Sequence, residues 1–255
     1  MEWQKKYLDI FLVPSGLIIM LAYHMFLLYR IINFPQTTAI GYEAHNKRAW
    51  VERVMMQADP TDVGNALGVI SSNTGAATNQ ASLSIALGSF IGSLVGSSDN
   101  NIFTSNLVYG DTSSEINTVK YVSILAFFLL AYASFSQSAR KFTHAACLIS
   151  TPGTEVHIKY MQQDIVMGCN FMYLGQRAHY FAISLTLWIF GPIPMFASSV
   201  IMVVILYFLD VNSCPMHEYR SPNTNTQTIE GKARLVAPDE YPGGTLEMNS
   251  QTQHA

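Results

Sequence analysis

Two groups of residues in this sequence are of types and spacings that do chemistry in a membrane. The first is a set of amides and hydroxyls, Asn73, Asn79, Gln80 and Ser84. Asn73 lies six and seven residues before Asn79 and Gln80, so the amides share roughly one face of a helix. Hydrocarbon offers an amide no partner, and leaving one unpaired there is costly. These side chains therefore line a permeation path or bond to neighbouring helices, and the sequence leaves both readings open. His24, alone in a long apolar run, joins them as an ionisable group that relays protons or ions, or sits neutral and bonded to another helix. The second group is basic: Arg30, Arg140, His144, Arg177 and His179, all near the ends of apolar runs. Gathered at one membrane level, they would form a ring that selects anions or holds lipid head groups. As separate anchors they would only snorkel to the interface.

Other chemistry is missing. The sequence has no GxSxG, HExxH, P-loop or paired-carboxylate motif, and none of its seven histidines forms a His-x3-His pair. Cys147, Cys169 and Cys214 are far apart, and an odd number excludes a complete internal disulfide framework. The expectation is no enzyme, no metal and no cofactor. Lys and Arg form no stripe, so nucleic acid is not an expected partner.

The elements that must position these residues follow from composition. Hydrophobic residues make up 49% of the 255 and charged residues 12%, against about 25% charge in an ordinary soluble domain. That deficit points to lipid as the solvent. A bilayer core ~30 Å thick needs about 20 apolar helical residues, and four segments qualify: about 8–32, 78–96, 118–137 and 180–209. Pro14 reads as an entry-turn proline of the first, which is a retained signal anchor rather than a cleaved signal. In the second, Gly88, Gly92 and Gly96 make two overlapping GxxxG spacings, a helix-packing face that acts within the chain or between copies. The fourth is broken by Gly191, Pro192 and Pro194. The preferred reading is one kinked span, with a re-entrant hairpin as its rival. Broken helices also present backbone carbonyls to substrates.

Basic residues fall in the first loop (Lys47, Arg48, Arg53) and the third (Lys141, Lys159), whereas the second carries only acids, Asp99, Asp111 and Glu115. The first and third loops are thus expected in the cytoplasm, and both termini outside it. Helical spacing over Glu43–Gln57 and Glu155–Gln176 predicts cytoplasmic helices, and the polar 213–255 segment a disordered tail.

Residues 5–212 resemble the membrane family catalogued as domain of unknown function 599, in its plant type. The resemblance is carried by Arg48-Ala49-Trp50-Val51, Ala77-Thr78-Asn79-Gln80-Ala81-Ser82, Ser138-Ala139-Arg140-Lys141-Phe142-Thr143-His144 and Gly175-Gln176-Arg177-Ala178-His179-Tyr180-Phe181. It implies a four-helix membrane protein and no particular activity. The combined expectation is an all-α integral membrane protein of the plasma membrane or an endomembrane. Its helices would act as an oligomeric channel or transporter for an ion, such as an anion, or a small solute. The alternative is a non-conducting scaffold. Membrane lipids and further copies of the chain are the expected partners.

Overall fold

The computed structural model describes residues 2–57, 59–96, 114–150 and 155–213. They form six helices, α1 (Glu2–Asn33), α2 (Ala39–Gln57), α3 (Pro60–Gly96), α4 (Ser114–Ile149), α5 (Glu155–Leu187) and α6 (Pro192–Asp210), with one 3-10 turn at Pro35–Thr37. Three helices are long and apolar enough to cross a membrane: α1 from Leu8, α4 and α6. Their outer faces are those of a membrane protein, with Phe11 and Ile18 on α1 and Ile201 and Phe208 on α6 all more than half exposed. The acidic loop before α4, and the expected tail beyond Ser213, lie outside the described residues.

Helices α3, α4 and α5 form an antiparallel sheaf. Gly88 of α3 meets Leu125 and Phe128 of α4, while Ser138 of α4 donates to the Gly168 carbonyl of α5 at 2.7 Å. At 1.5 Å per residue each of these helices is about 50 Å long, well beyond the ~30 Å hydrocarbon layer. At one end α2 lies against them around a core of Val51, Val54, Ala66, Ile70, Phe142, Ala145, Ile149, Met161 and Ile165. The expected Glu43–Gln57 helix is therefore α2, while the expected Glu155–Gln176 helix is continuous with the start of the fourth apolar segment.

The fourth segment corrects the sequence reading. It is a hairpin, not a kinked span. Residues Trp188 to Gly191 close onto Leu185 to Trp188 through i→i−3 bonds of 3.0–3.1 Å. Gly191 then takes φ 144°, a conformation that L side chains rarely adopt. Pro192 starts α6 where its missing N–H costs nothing. α6 folds back along α5, so Asp210 reaches Arg177, and runs parallel to α1, with Gly16 against Ser199 and Tyr23 against Asp210. The start of α1 and the end of α6 thus lie at opposite ends of the bundle, against the expectation of both termini on one side. Pro14 is also corrected: α1 begins at Glu2, so Pro14 lies in its interior rather than in its entry turn.

Candidate functional site

The structure disperses the expected polar path. Asn79 is exposed, Asn73 and Gln80 are half-buried, and Ser84 is buried against His179, its Oγ 2.8 Å from Nε2. Ser84 Oγ also lies 2.8 Å from the Gln80 carbonyl, which only accepts. With the hydroxyl proton there, His179 Nε2–H donates to Ser84. His179 packs between Phe128 and Phe135, so this pair reads as a bond between α3 and α5. His24 faces a different seam.

The basic ring does not form either. Arg140 and His144 are exposed on α4, and His144 pairs with Asp164 of α5, which also accepts from Lys141 Nζ at 2.8 Å. Asp164 is thirteen residues before Arg177, about 20 Å along the helix. His179 faces α3 and α4. Only Arg30 and Arg177 stay together, around Tyr23. The GxxxG face is split as well: Gly88 packs within the chain and Gly92 is open, while the surroundings of Gly96 are outside the described residues. The Gly191-Pro192-Ile193-Pro194 break lies at the turn of the hairpin, level with Asp9. Its preceding carbonyls are already bonded.

Outside the membrane segments, Asp164 carries the clearest titration signature. Burial pushes its carboxyl up, but hydrogen bonds and charge from Lys141 and His144 outweigh burial and hold it below 3.8. A depressed carboxylate contributes stability that is full above its unfolded pKa and lost as pH falls through the folded value. Thermal melts of the purified protein are therefore expected to drop below about pH 3.8, and Asp164→Asn to reduce that drop, leaving the part that Glu43 contributes. The loss from that substitution near neutrality is set at about 1–2 kcal/mol, low in the charged hydrogen-bond range because His144 is largely solvated. Near it, Glu43 accepts from Lys47 at 2.9 Å and from Tyr173, tying α2 to α5.

What the structure does bring together is a seam between α1, α5 and α6. On α1 the buried stripe is Asp9, Val13, Gly16, Met20, Tyr23 and Leu27, spaced by threes and fours as one helix face requires. On α5, Arg177, Phe181 and Ser184 follow the same rule, and Trp188 continues it in the turn just past the helix. On α6, Met195, Ser199, Leu206 and Asp210 are buried.

Each end of the seam holds buried charge. At one end Trp188 Nε1–H donates to Asp9 at 2.9 Å, and the Lys120 ammonium lies 5.5 Å from the Trp188 ring centre. Asp9 is 4% exposed and Lys120 2%. At the other, Tyr23 donates to Asp210 Oδ2 at 2.6 Å and Arg177 bonds Oδ1. The end of α6 is fixed there by Asn212, whose N–H donates to the Thr37 carbonyl at 3.1 Å, as Arg30 also does. Asp9 and Tyr23 are fourteen residues apart, about 21 Å along α1, within the thickness of the hydrocarbon layer. Between the two clusters lie Ser199 and Ser184, and the buried Ser184 Oγ has no hydrogen-bond partner among the described residues.

Sequence reasoning missed Asp9, Lys120, Asp210, Tyr23 and Trp188. The signal was present: Asp9 and Lys120 stand inside apolar segments and Asp210 at the end of one, where ionisable groups are rare.

No curated protein and no solved structure matches this chain. Residues 11–215 match the family model described as "Protein of unknown function, DUF599", most of the helical core. The chain belongs to that family.

Proposed function

We propose that this protein is an ion or small-solute transporter whose route is the seam between α1, α5 and α6. The observation that supports this is the pair of buried ionic clusters about 21 Å apart on one helix face, joined by a line of small and hydroxyl side chains. Charge inside a bilayer is costly and is commonly kept where an ion or proton must pass. The seam is closed, with Val13, Met20 and Leu185 filling it between the clusters, so transport requires α6 or the hairpin to move against α1. The route lies within one chain. An oligomer, if it forms, uses the open face of α3, where Thr78, Ser82, Tyr132 and Ser136 line a groove of about 640 Å³ against α4.

Five segments cross the membrane in this reading: α1, the far halves of α3, α4 and α5, and α6. The end bearing Lys47, Arg48, Arg53, Lys141 and Lys159 faces the cytoplasm of a plasma or endomembrane. The start of α1 is then outside and the end of α6 inside. A tag after Asp210 is expected on the same face as one in the 34–38 turn; protease protection on opposite faces would refute the hairpin topology.

Proteoliposomes containing the full chain are expected to show ion flux above protein-free vesicles. Inert vesicles at adequate protein density would count decisively against transport. The helical assembly of α2 with the ends of α3, α4 and α5 supports the second reading, a membrane scaffold whose partner binds that assembly. One stoichiometric partner recovered without any flux would favour it.

A further inference from the structure

The inner end of the seam contains two bare nitrogen atoms of opposite character. His24 Nδ1 lies 2.7 Å from the Met20 carbonyl. A carbonyl oxygen only accepts, so Nδ1 carries the hydrogen in the neutral ring. Nε2 is then a lone pair, buried, with no partner among the described residues. Arg177 uses Nη2 on Asp210, and its Nη1 is likewise buried and unpartnered. The His24 ring lies 5.1 Å from Phe181, one turn beyond Arg177 on α5, and 5.5 Å from Tyr23.

The charged and titratable groups facing His24 can be named. Arg177 on α5 and Asp210 on α6 both act on it electrostatically. Tyr23 stands beside it on α1, and Arg30 acts on Tyr23. The Arg177 and Asp210 charges cancel, and each Asp210 oxygen already takes a bond, one from Tyr23 and one from Arg177.

We propose that this site binds one proton and one small monovalent anion together, the proton on His24 Nε2 and the anion between His24 and Arg177. With the ring neutral, an anion placed at Arg177 Nη1 meets the Nε2 lone pair and is repelled. When Nε2 takes up a proton, the ring becomes an imidazolium and the site presents two N–H donors. It also carries one uncompensated positive charge, which a buried site tolerates only with a counter-ion. One added proton calls for one negative charge, which selects a monovalent anion. The two ligands therefore strengthen each other, and by linkage the effect is reciprocal. The proposal rests on the transport reading for its purpose, since it names the cargo of the seam, but the binding itself is measured without transport.

The test uses the full chain in detergent micelles, weakly buffered, with a pH-indicating dye. Adding sodium chloride, nitrate or bromide is expected to draw protons from solution, approaching one per chain. The apparent affinity for the anion is expected to fall tenfold per pH unit above the pKa of the ring. His24→Phe should abolish proton uptake. Should that variant fail to fold, His24→Gln, which keeps a polar side chain of similar size, should abolish it equally. The proposal is overturned if none of the three anions draws protons between about pH 5 and pH 8, where imidazole titrates. Uptake that persists in a folded His24→Gln variant overturns it too. The two readings separate cleanly. Proton uptake in micelles with inert proteoliposomes sinks transport and keeps the linkage, whereas flux without proton uptake does the reverse.

Discussion

Replacing Asp210 by leucine is expected to destabilise the protein by about 3–5 kcal/mol, the range seen when one partner of a buried ion pair is removed. Arg177 is 14% exposed and Asp210 8%, so the guanidinium left behind has little access to water. Tyr23 loses its acceptor as well. Arg177→Met alone should cost a similar amount, because it strands the carboxylate. The double variant Arg177→Met, Asp210→Leu should recover much of either loss, since matched apolar side chains replace a buried pair at little or no penalty. Tyr23→Phe should be milder, about 1–3 kcal/mol for one bond to a charged acceptor. Thermal unfolding in detergent, followed by size exclusion, measures all four. A double variant that loses the sum of the two single losses would show that the pair is not coupled. Because Asp210 closes α6 against α1 and α5, the same variants test the hairpin topology.

A side chain at either of two α5 glycines should be nearly as damaging. A Cβ on Gly175 would lie 2.8 Å from the Phe135 ring, and one on Gly168 would lie 2.9 Å from the Phe142 ring. Both rings are fully buried. Gly168 and Gly175 are seven residues apart, as are Phe135 and Phe142, so two turns of α5 receive two rings of α4. In lipid, where helices gain little from hydrophobic exclusion, such close approach supplies the association. Forcing extra atoms into a filled core costs about 1–3 kcal/mol. Gly175→Val is expected at the upper end, because its neighbour is a buried ring with nowhere to turn. Combining Gly175→Val with Phe135→Leu should restore part of the loss. Gly92→Val, at an open position, serves as the control and should be near neutral in detergent. If Gly175→Val melts like the wild type, α4 and α5 do not pack as described.

Much of the fold was legible because helices declare themselves by period. The apolar segments at 8–32 and 118–137 fall inside α1 and α4, and the spacing over Glu43–Gln57 falls inside α2. The segment at 78–96 lies in α3, which reaches back to Pro60. What the sequence hid was where long helices leave the membrane. Composition marks the apolar portion of a helix and is silent about its continuation, so the sequence shows α3 and α4 as short spans and the start of α5 as a separate loop helix. The Gly191 break shows a second limit. Gly-Pro announces a break, but whether the chain bends or turns back depends on what receives α6. The receiver is the α1 face of Gly16 and Tyr23, distant in sequence.

The site was less legible than the fold, for a related reason. Asn73, Asn79 and Gln80 stand out as rare polar types, yet it is Ser84 and His24 of that group that meet side chains of another helix. Arg177 was singled out as a member of a basic ring, whereas its partner is an acid thirty-three residues away. Acidic residues at segment ends looked like ordinary boundaries. Written by helical spacing, however, Asp9, Gly16, Tyr23 and Arg30 fall seven apart on α1, and Arg177 and Ser184 lie on one face of α5, with Trp188 just past its end. Reading the faces of the apolar segments for acids and bases together would have found both ends of the seam.

The account turns on whether water and ions reach this seam. The most direct measurement is thiol labelling in membrane vesicles, on a background in which Cys147, Cys169 and Cys214 are replaced by serine. Single cysteines are placed in the seam, as Ser184→Cys or Ser199→Cys, and on the outer face, as Ile18→Cys or Ile201→Cys. A membrane-impermeant thiol reagent is applied under an ion gradient. The account predicts that the seam cysteines are modified, faster with the gradient than without it, while the outward-facing pair stays protected by lipid. Protection of all four positions, with or without the gradient, would contradict it and leave the seam a dry packing interface.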